Sequence, residues 1–291
     1  PIAEDVRLLV LAGAAPAVLD TPQVARLSDF FRRGGSALVM AGGMALQPQG
    51  FMARARPVGW NRLLSAYGLS IRPDMVYDLA SNEMVSLPAA VGRVMVQYPY
   101  WVRALSTRAT PINDELDAMV LPWPSSIDTS GAVPGTLTPL FTTSRAGGRE
   151  AGRAIVAPQR DWPRDSLAVR LLAVQVNPLA ADSVGELRGR LVVVGNGDFV
   201  ADQYARNAPA GVRVALNAVD WLAQDAALIQ IRAKDRRPPR LVFEGAATRD
   251  VVKYLNLAGV PIVLVAFASL RLWRRRRRTT RVYRPRAAEV A

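Results

Sequence analysis

Two short, almost wholly apolar blocks, Val6 to Ala12 and Ser36 to Ala41, flank a stretch in which Val24, Leu27, Phe30 and Phe31 recur at helical spacing. Blocks without polar alternation read as strands buried on both faces; the three-to-four spacing reads as an amphipathic helix. Asp20 or Thr21 stands where a helix cap belongs, Pro22 falls in the first turn, and Gly34-Gly35 stop the helix. A strand, a helix and a strand in that order predict neighbouring parallel strands of an α/β sheet. A second helix is expected from Trp60 to Tyr67, closed by Gly68.

From about residue 85 to 185 prolines break the pattern into short pieces, three of them strand-like: Arg93 to Gln97, Ala118 to Leu121 and Leu167 to Val176. This reads as a β-rich, irregular insertion. Regularity returns with a buried strand at Arg190 to Val194, the turn Gly195-Asn196-Gly197-Asp198, and a helix from about Val212 to Gln224. Leu228-Ile229 and Ile231-Arg232 follow, then a Pro/Arg-rich linker. The expected fold is therefore α/β, a mostly parallel sheet flanked by helices and carrying the β-rich insertion.

The last apolar run differs in kind. Tyr254 to Leu270 carries no charge, and Leu272 and Trp273 extend it past Arg271. As a helix, Tyr254 to Trp273 would span roughly 30 Å, the hydrocarbon thickness of a bilayer. Tyr254 and Trp273 stand at its ends like interfacial aromatics, and Pro261 is tolerated in membrane spans. Arg274, Arg275, Arg276, Arg277 and Arg278 follow at once, a stop-transfer pattern. The positive-inside rule then puts the tail in the cytoplasm and the bulk of the chain across the membrane. The expected organisation is an extracytoplasmic domain over 1–233, a linker over 234–253, a transmembrane helix over 254–273 and a basic tail over 274–291. A buried terminal helix with a solvated tail is the bland alternative.

Charge and composition narrow the function. The net charge of +13 suggests nucleic acid until its location is read: nine arginines and one acid lie from Arg271 onward. The remainder is only mildly basic, no aromatic stacking pattern accompanies the block, and no nucleic-acid partner is expected. The 291 residues contain neither cysteine nor histidine, which removes disulfides, the commonest zinc ligands, the commonest general base and the Cys–His dyad. The chain opens on Pro1 and almost at once on a strand, which suggests a fragment or processed chain.

Candidate chemistry is sparse. Asn196, Gly197 and Asp198 occupy a strand-to-helix turn where α/β folds often bind ligands, though position 200 is Val, so no dinucleotide fingerprint is present, and no Walker lysine follows. Asn-Gly is also ordinary turn chemistry. Asp114, Glu115 and Asp117, and Asp161 with Asp165, are carboxylates close in sequence, and Thr142, Thr143 and Ser144 are hydroxyls without a visible base. No catalytic residue, metal site or cofactor is expected.

The stretches VRLLVLAG (6–13), FFRRGGSALVMAGG (30–43), TPINDELDAMVLPWPSSI (110–127), TPLFTTSRAG (138–147), GRLVVVGNGDFVAD (189–202) and ALNAVDWLAQDAALIQIRAK (215–234), with GVPIVLV and the arginine block, occur in an order that resembles a known family. That family is the auxiliary component of the ABC transport systems associated with bacterial gliding motility. The resemblance implies an inner-membrane partner of an ABC ATPase and permease, whose periplasmic domain is similar in fold to class I glutamine amidotransferases. Members usually carry an N-terminal membrane helix as well, which agrees with a fragment. The amidotransferase triad needs Cys and His, so the resemblance implies a non-catalytic accessory subunit without cofactor. A membrane-tethered envelope enzyme working through carboxylates, or an extracytoplasmic ligand sensor, are the alternatives.

Overall fold

The computed structural model describes residues 2–13, 19–47, 51–88, 92–177, 189–223 and 259–279. The chain divides into two compact units, Pro1–Arg236 and Arg237–Ala291.

The first unit is built on an eight-stranded sheet. The apolar blocks become β1 (Leu8–Ala12) and β2 (Ser36–Met40), joined by α1 (Thr21–Arg32). Asp20 caps α1 through a reciprocal capping box with Gln23, at 2.7 and 3.0 Å. β2 pairs in parallel with β1 on one side and with β15 (Leu191–Val194) on the other. Beyond β15 the sheet continues through β14 (Leu171–Val176), β11 (Leu137–Thr142), β8 (Arg93–Ser106) and β7 (Asn82–Pro88), with β9 (Ala118–Pro122) also on β8. Each of those pairings is antiparallel. This corrects the expectation of a mostly parallel sheet. Helical crossovers enforce parallel neighbours, and among the described residues only the β1–β2 connection has one that joins adjacent strands.

Three smaller sheets adjoin: β5 (Ser70–Ile71) with β10 (Ile127–Asp128), β6 (Asp74–Asp78) with β12 (Gly147–Ala151), and β3 (Met44–Leu46) with β4 (Met52–Ala55) and β13 (Arg153–Ile155). The helix expected at Trp60 to Tyr67 is α2 (Asn61–Leu64) continued by a 3-10 turn to Tyr67.

Alternation along the central strands sets up two cores. Leu38, Met40, Val192 and Val194 join Val214, Ala218 and Leu222 of α4 (Pro209–Leu222) on one face. Ala37, Val39, Leu191 and Val193 meet Phe30 and Phe31 of α1 and Leu63 and Leu64 of α2 on the other. A third cluster gathers Met75, Tyr77, Tyr98 and Tyr100 with Trp101, Trp123 and Trp162 under the small sheets. One further helical turn, α3 (Asp202–Ala205), leads into α4.

In the second unit the described helix is α5 (Val260–Thr279). The expected span began at Tyr254, which lies outside the described residues, as do the linker and the tail beyond Thr279. α5 takes in Pro261 in its first turn, Trp273, and Arg274 to Arg278. Because its last third is arginine-rich, no helix among the described residues is long and apolar enough to cross a membrane.

Candidate functional site

Open α/β sheets bind ligands beyond the carboxyl ends of their parallel strands. Here those ends are tied together: the Gly13 N–H donates to the Met40 carbonyl at 2.8 Å, and the Ala41 N–H to the Val194 carbonyl at 3.1 Å. The buried Ser125 lies across them. Its N–H donates to the Gly195 carbonyl at 2.6 Å, and its hydroxyl donates to the Asp74 carbonyl at 2.7 Å and accepts from the Gly43 N–H at 2.8 Å. The approach explains the glycine at 195, where a Cβ would lie 2.0 Å from the Ser125 carbonyl oxygen. The crevice is filled by the protein's own chain.

The turn that follows β15 is part of the same closure. Asn196 is buried; its Oδ1 accepts from the N–H groups of Asp198 and Phe199 at 2.8 and 2.7 Å, and its Nδ2 donates to the Pro122 carbonyl. Gly197 packs against Gly13, so of the three turn residues only Asp198 keeps an exposed side chain. The other candidates are dispersed. Asp114, Glu115, Asp117, Asp161 and Asp165 are all exposed. Among the described residues no group of three or more carboxylates could hold a metal ion. The Thr143 hydroxyl accepts the Arg170 N–H at 2.8 Å, and the Ser144 hydroxyl donates to the buried Asp78 at 2.8 Å. These hydroxyls hold strand ends together.

The structure assembles a different site from residues distant in sequence. A cavity of about 230 Å³ is lined by Arg72, which follows β5, Arg149 of β12 and Arg170, which precedes β14. Ile127, Val169 and Leu171 form an apolar wall, and Ser126 contributes a polar edge. Two carboxylates face these guanidinium groups. Asp128 pairs with Arg72 at 2.9 Å. Burial works to raise the Asp128 pKa, but hydrogen bonds from Ser130 and the charge of Arg72 bring it below the ordinary value. Asp74 is almost fully buried and accepts from the Ser126 N–H at 2.8 Å and hydroxyl at 2.6 Å, with Arg149 farther off at 3.5 Å.

Arg170 has no carboxylate within ion-pair reach among the described residues. One of its Nη atoms donates to the Ser166 carbonyl at 2.6 Å, while its Nε is buried without a partner. Burial, followed by the positive charges of Arg149 and Arg72, lowers its pKa. Sequence reasoning misses this trio because its members stand on three separate elements with no local spacing. Their only trace is the dominance of arginine over lysine in the chain.

A neighbouring cluster is polar but saturated. Glu150 accepts from Arg160 at 2.6 and 3.0 Å and also from the Tyr100 hydroxyl, while Arg160 stacks on Trp162 at 5.0 Å. Burial first, and then the Glu150 carboxylate, drives the Tyr100 phenol pKa upward.

No curated protein matches this chain. Among solved structures, the mmIFT52 N-terminal domain is similar at 16% identity with a TM-score of 0.48, covering 75% of this chain and 78% of that one. A family model described as "ABC-type uncharacterized transport system" matches residues 1–227. That match runs from before β1 to beyond α4, taking in both faces of the sheet, the filled crevice and the arginine-lined cavity, and so the chain belongs to this family of ABC transport systems.

Proposed function

We propose that this protein is a non-catalytic accessory subunit of an ABC transport system, acting by binding and assembly with the ATPase and permease subunits. The observation that carries the reading is the filled crevice. Where an α/β sheet offers its strand ends to a substrate, Ser125, Asn196 and Gly195 bind the chain to itself. No histidine or cysteine exists to build an amidotransferase-type triad. Energy for transport would come from a partner ATPase.

The anchor belongs to the same proposal. Ile262, Val265, Phe267, Leu270, Leu272 and Trp273 are each at least half exposed on α5, and at 100° per residue they spread over about 220° of its circumference. An exposed apolar face that wide exceeds the stripe of about 100° by which a helix packs on a single domain, and suits lipid or a large apolar partner. With the uncharged residues from Tyr254 onward, this supports a single inner-membrane span over 254–273, the arginine block in the cytoplasm and the α/β unit in the periplasm.

The test is a detergent pull-down of the full-length protein from its native membranes, with identification of the subunits that come with it. An ATPase and permease are expected, and both should be lost when 254–273 is replaced by an unrelated apolar span. Recovery of the protein without transporter subunits would overturn the proposal.

A further inference from the structure

We infer that the cavity between Arg72, Arg149 and Arg170 is a binding site for the oxyanion head, carboxylate or phosphate, of a small organic ligand. The inference goes beyond the accessory-subunit reading and rests on the cavity alone.

Charge balance is the first argument. Three guanidinium groups face two carboxylates, and both carboxylates are committed: Asp128 to Arg72, and Asp74 chiefly to Ser126. One positive charge is left over, and it is localised. Arg170 lines the cavity and has no carboxylate in reach among the described residues. A cation without a carboxylate partner, lining a cavity beside two others, is the arrangement that recognises planar or tetrahedral oxyanions, since the guanidinium fork matches both.

Size and wall chemistry limit the ligand. About 230 Å³ is below the volume usual for drug-sized ligands, so the cavity admits a head group with a few further heavy atoms. Ile127, Val169 and Leu171 make one side apolar, which favours an oxyanion carrying a short hydrocarbon stub over a bare inorganic ion. Ser126 offers no open donor, because its hydroxyl and N–H are both held by Asp74. Selectivity therefore falls to the arginines and the apolar wall. The Arg160–Glu150 pair shows the contrasting case: there a fork is already saturated by a carboxylate of the protein itself.

The experiment is isothermal titration calorimetry on the full-length protein in detergent at low salt, with sodium acetate, butyrate and phosphate as the probes. One-site saturation with a dissociation constant on the order of 1 mM or tighter is expected for at least one probe. Butyrate above acetate and phosphate would assign an organic carboxylate; phosphate above both would assign a phosphate-bearing ligand. Arg170→Gln should weaken binding about tenfold or more, equivalent to about 1.4 kcal/mol. Arg26→Gln, on the exposed side of α1, controls for net charge and should change nothing. Should Arg170→Gln fail to fold, Val169→Glu serves instead. Val169 is half exposed, and a carboxylate placed there should pair with the cavity arginines and abolish binding. No saturable binding of any probe to the folded protein, or unchanged affinity in both cavity variants, overturns the inference. Neither result bears on the pull-down, so the two proposals fail separately.

Discussion

At the scale of single residues, the buried side chains are mostly joints. Asn196 holds two backbone N–H groups and one carbonyl, whereas Asp198, two residues on, is exposed. Asn196→Ala should therefore cost about 2–3 kcal/mol, because it leaves buried main-chain groups unpaired. Asp198→Asn should stay within about 0.5 kcal/mol. Urea unfolding of both variants checks the contrast, and equal effects would mean that Asn196 is not the closure described. Tyr98 gives a pH signature. Burial pushes its phenol up to about 12, and its hydroxyl donates to the Val156 carbonyl at 2.7 Å. Above its ordinary pKa near 10 the unfolded chain releases this proton while the folded chain retains it, so stability is full below about pH 10 and falls as pH rises towards 12. Tyr98→Phe should lose about 1–3 kcal/mol at pH 8 and show a shallower alkaline decline, as measured by denaturant midpoints at pH 8, 10 and 11. The turn at 195–198 was legible as a turn from Asn-Gly alone. The commitment of Asn196 Nδ2 and of the Gly195 carbonyl was not, since their partners, Pro122 and Ser125, are distant in sequence.

At the scale of elements, legibility follows how local the forces are. α1 was readable because its cap, its first-turn proline and its apolar spacing all lie in its own stretch of chain. Asp20→Ala removes one half of the capping box and should cost about 1 kcal/mol, seen as a drop in thermal midpoint of a few degrees or less. No change would show that tertiary packing alone holds the helix start. β2 and β15 were readable for a similar reason, being apolar on both faces. The antiparallel half was not. The sequence pattern ends a strand at Gln97, ahead of Pro99, yet β8 runs unbroken from Arg93 to Ser106. The reason is a register shift: Glu83 pairs with Tyr98 but Asn82 pairs with Val102, so Pro99 sits in a bulge where no ladder hydrogen bond is required of it. Pro139 is placed alike, next to the irregularity between Pro139 and Phe141 in β11. Proline in these strands marks a bulge, not an end. The arginine cavity has the same origin: its residues come from β10, β12 and β14 and from the segments that follow β5 and precede β10 and β14, whose mutual arrangement is set by long-range pairing and leaves no local mark on the sequence.

At the scale of the whole molecule, the absence of cysteine makes the proposed topology directly measurable. Any introduced thiol is the only thiol in the chain, so a membrane-impermeant maleimide reports one position without background. Ser65 is exposed at the end of α2, and among the described residues its hydroxyl bonds to the Arg62 carbonyl alone, so Ser65→Cys should leave the fold intact. Ala287 lies beyond the arginine block, and Ala287→Cys reports the tail. In intact spheroplasts the first should label and the second should not, while permeabilised cells should label both. Labelling of both without permeabilisation would remove the inner-membrane span; labelling of the tail alone would invert it. The physical stake is where the arginines sit. Arg274 to Arg278 beside an apolar helix are stable against a negatively charged cytoplasmic leaflet and costly to translocate, so the proposed topology puts the α/β unit and its arginine-lined cavity in the other compartment. On the proposed topology the cavity would meet solutes before they reach a permease, which is where an accessory subunit acting by binding would do its work.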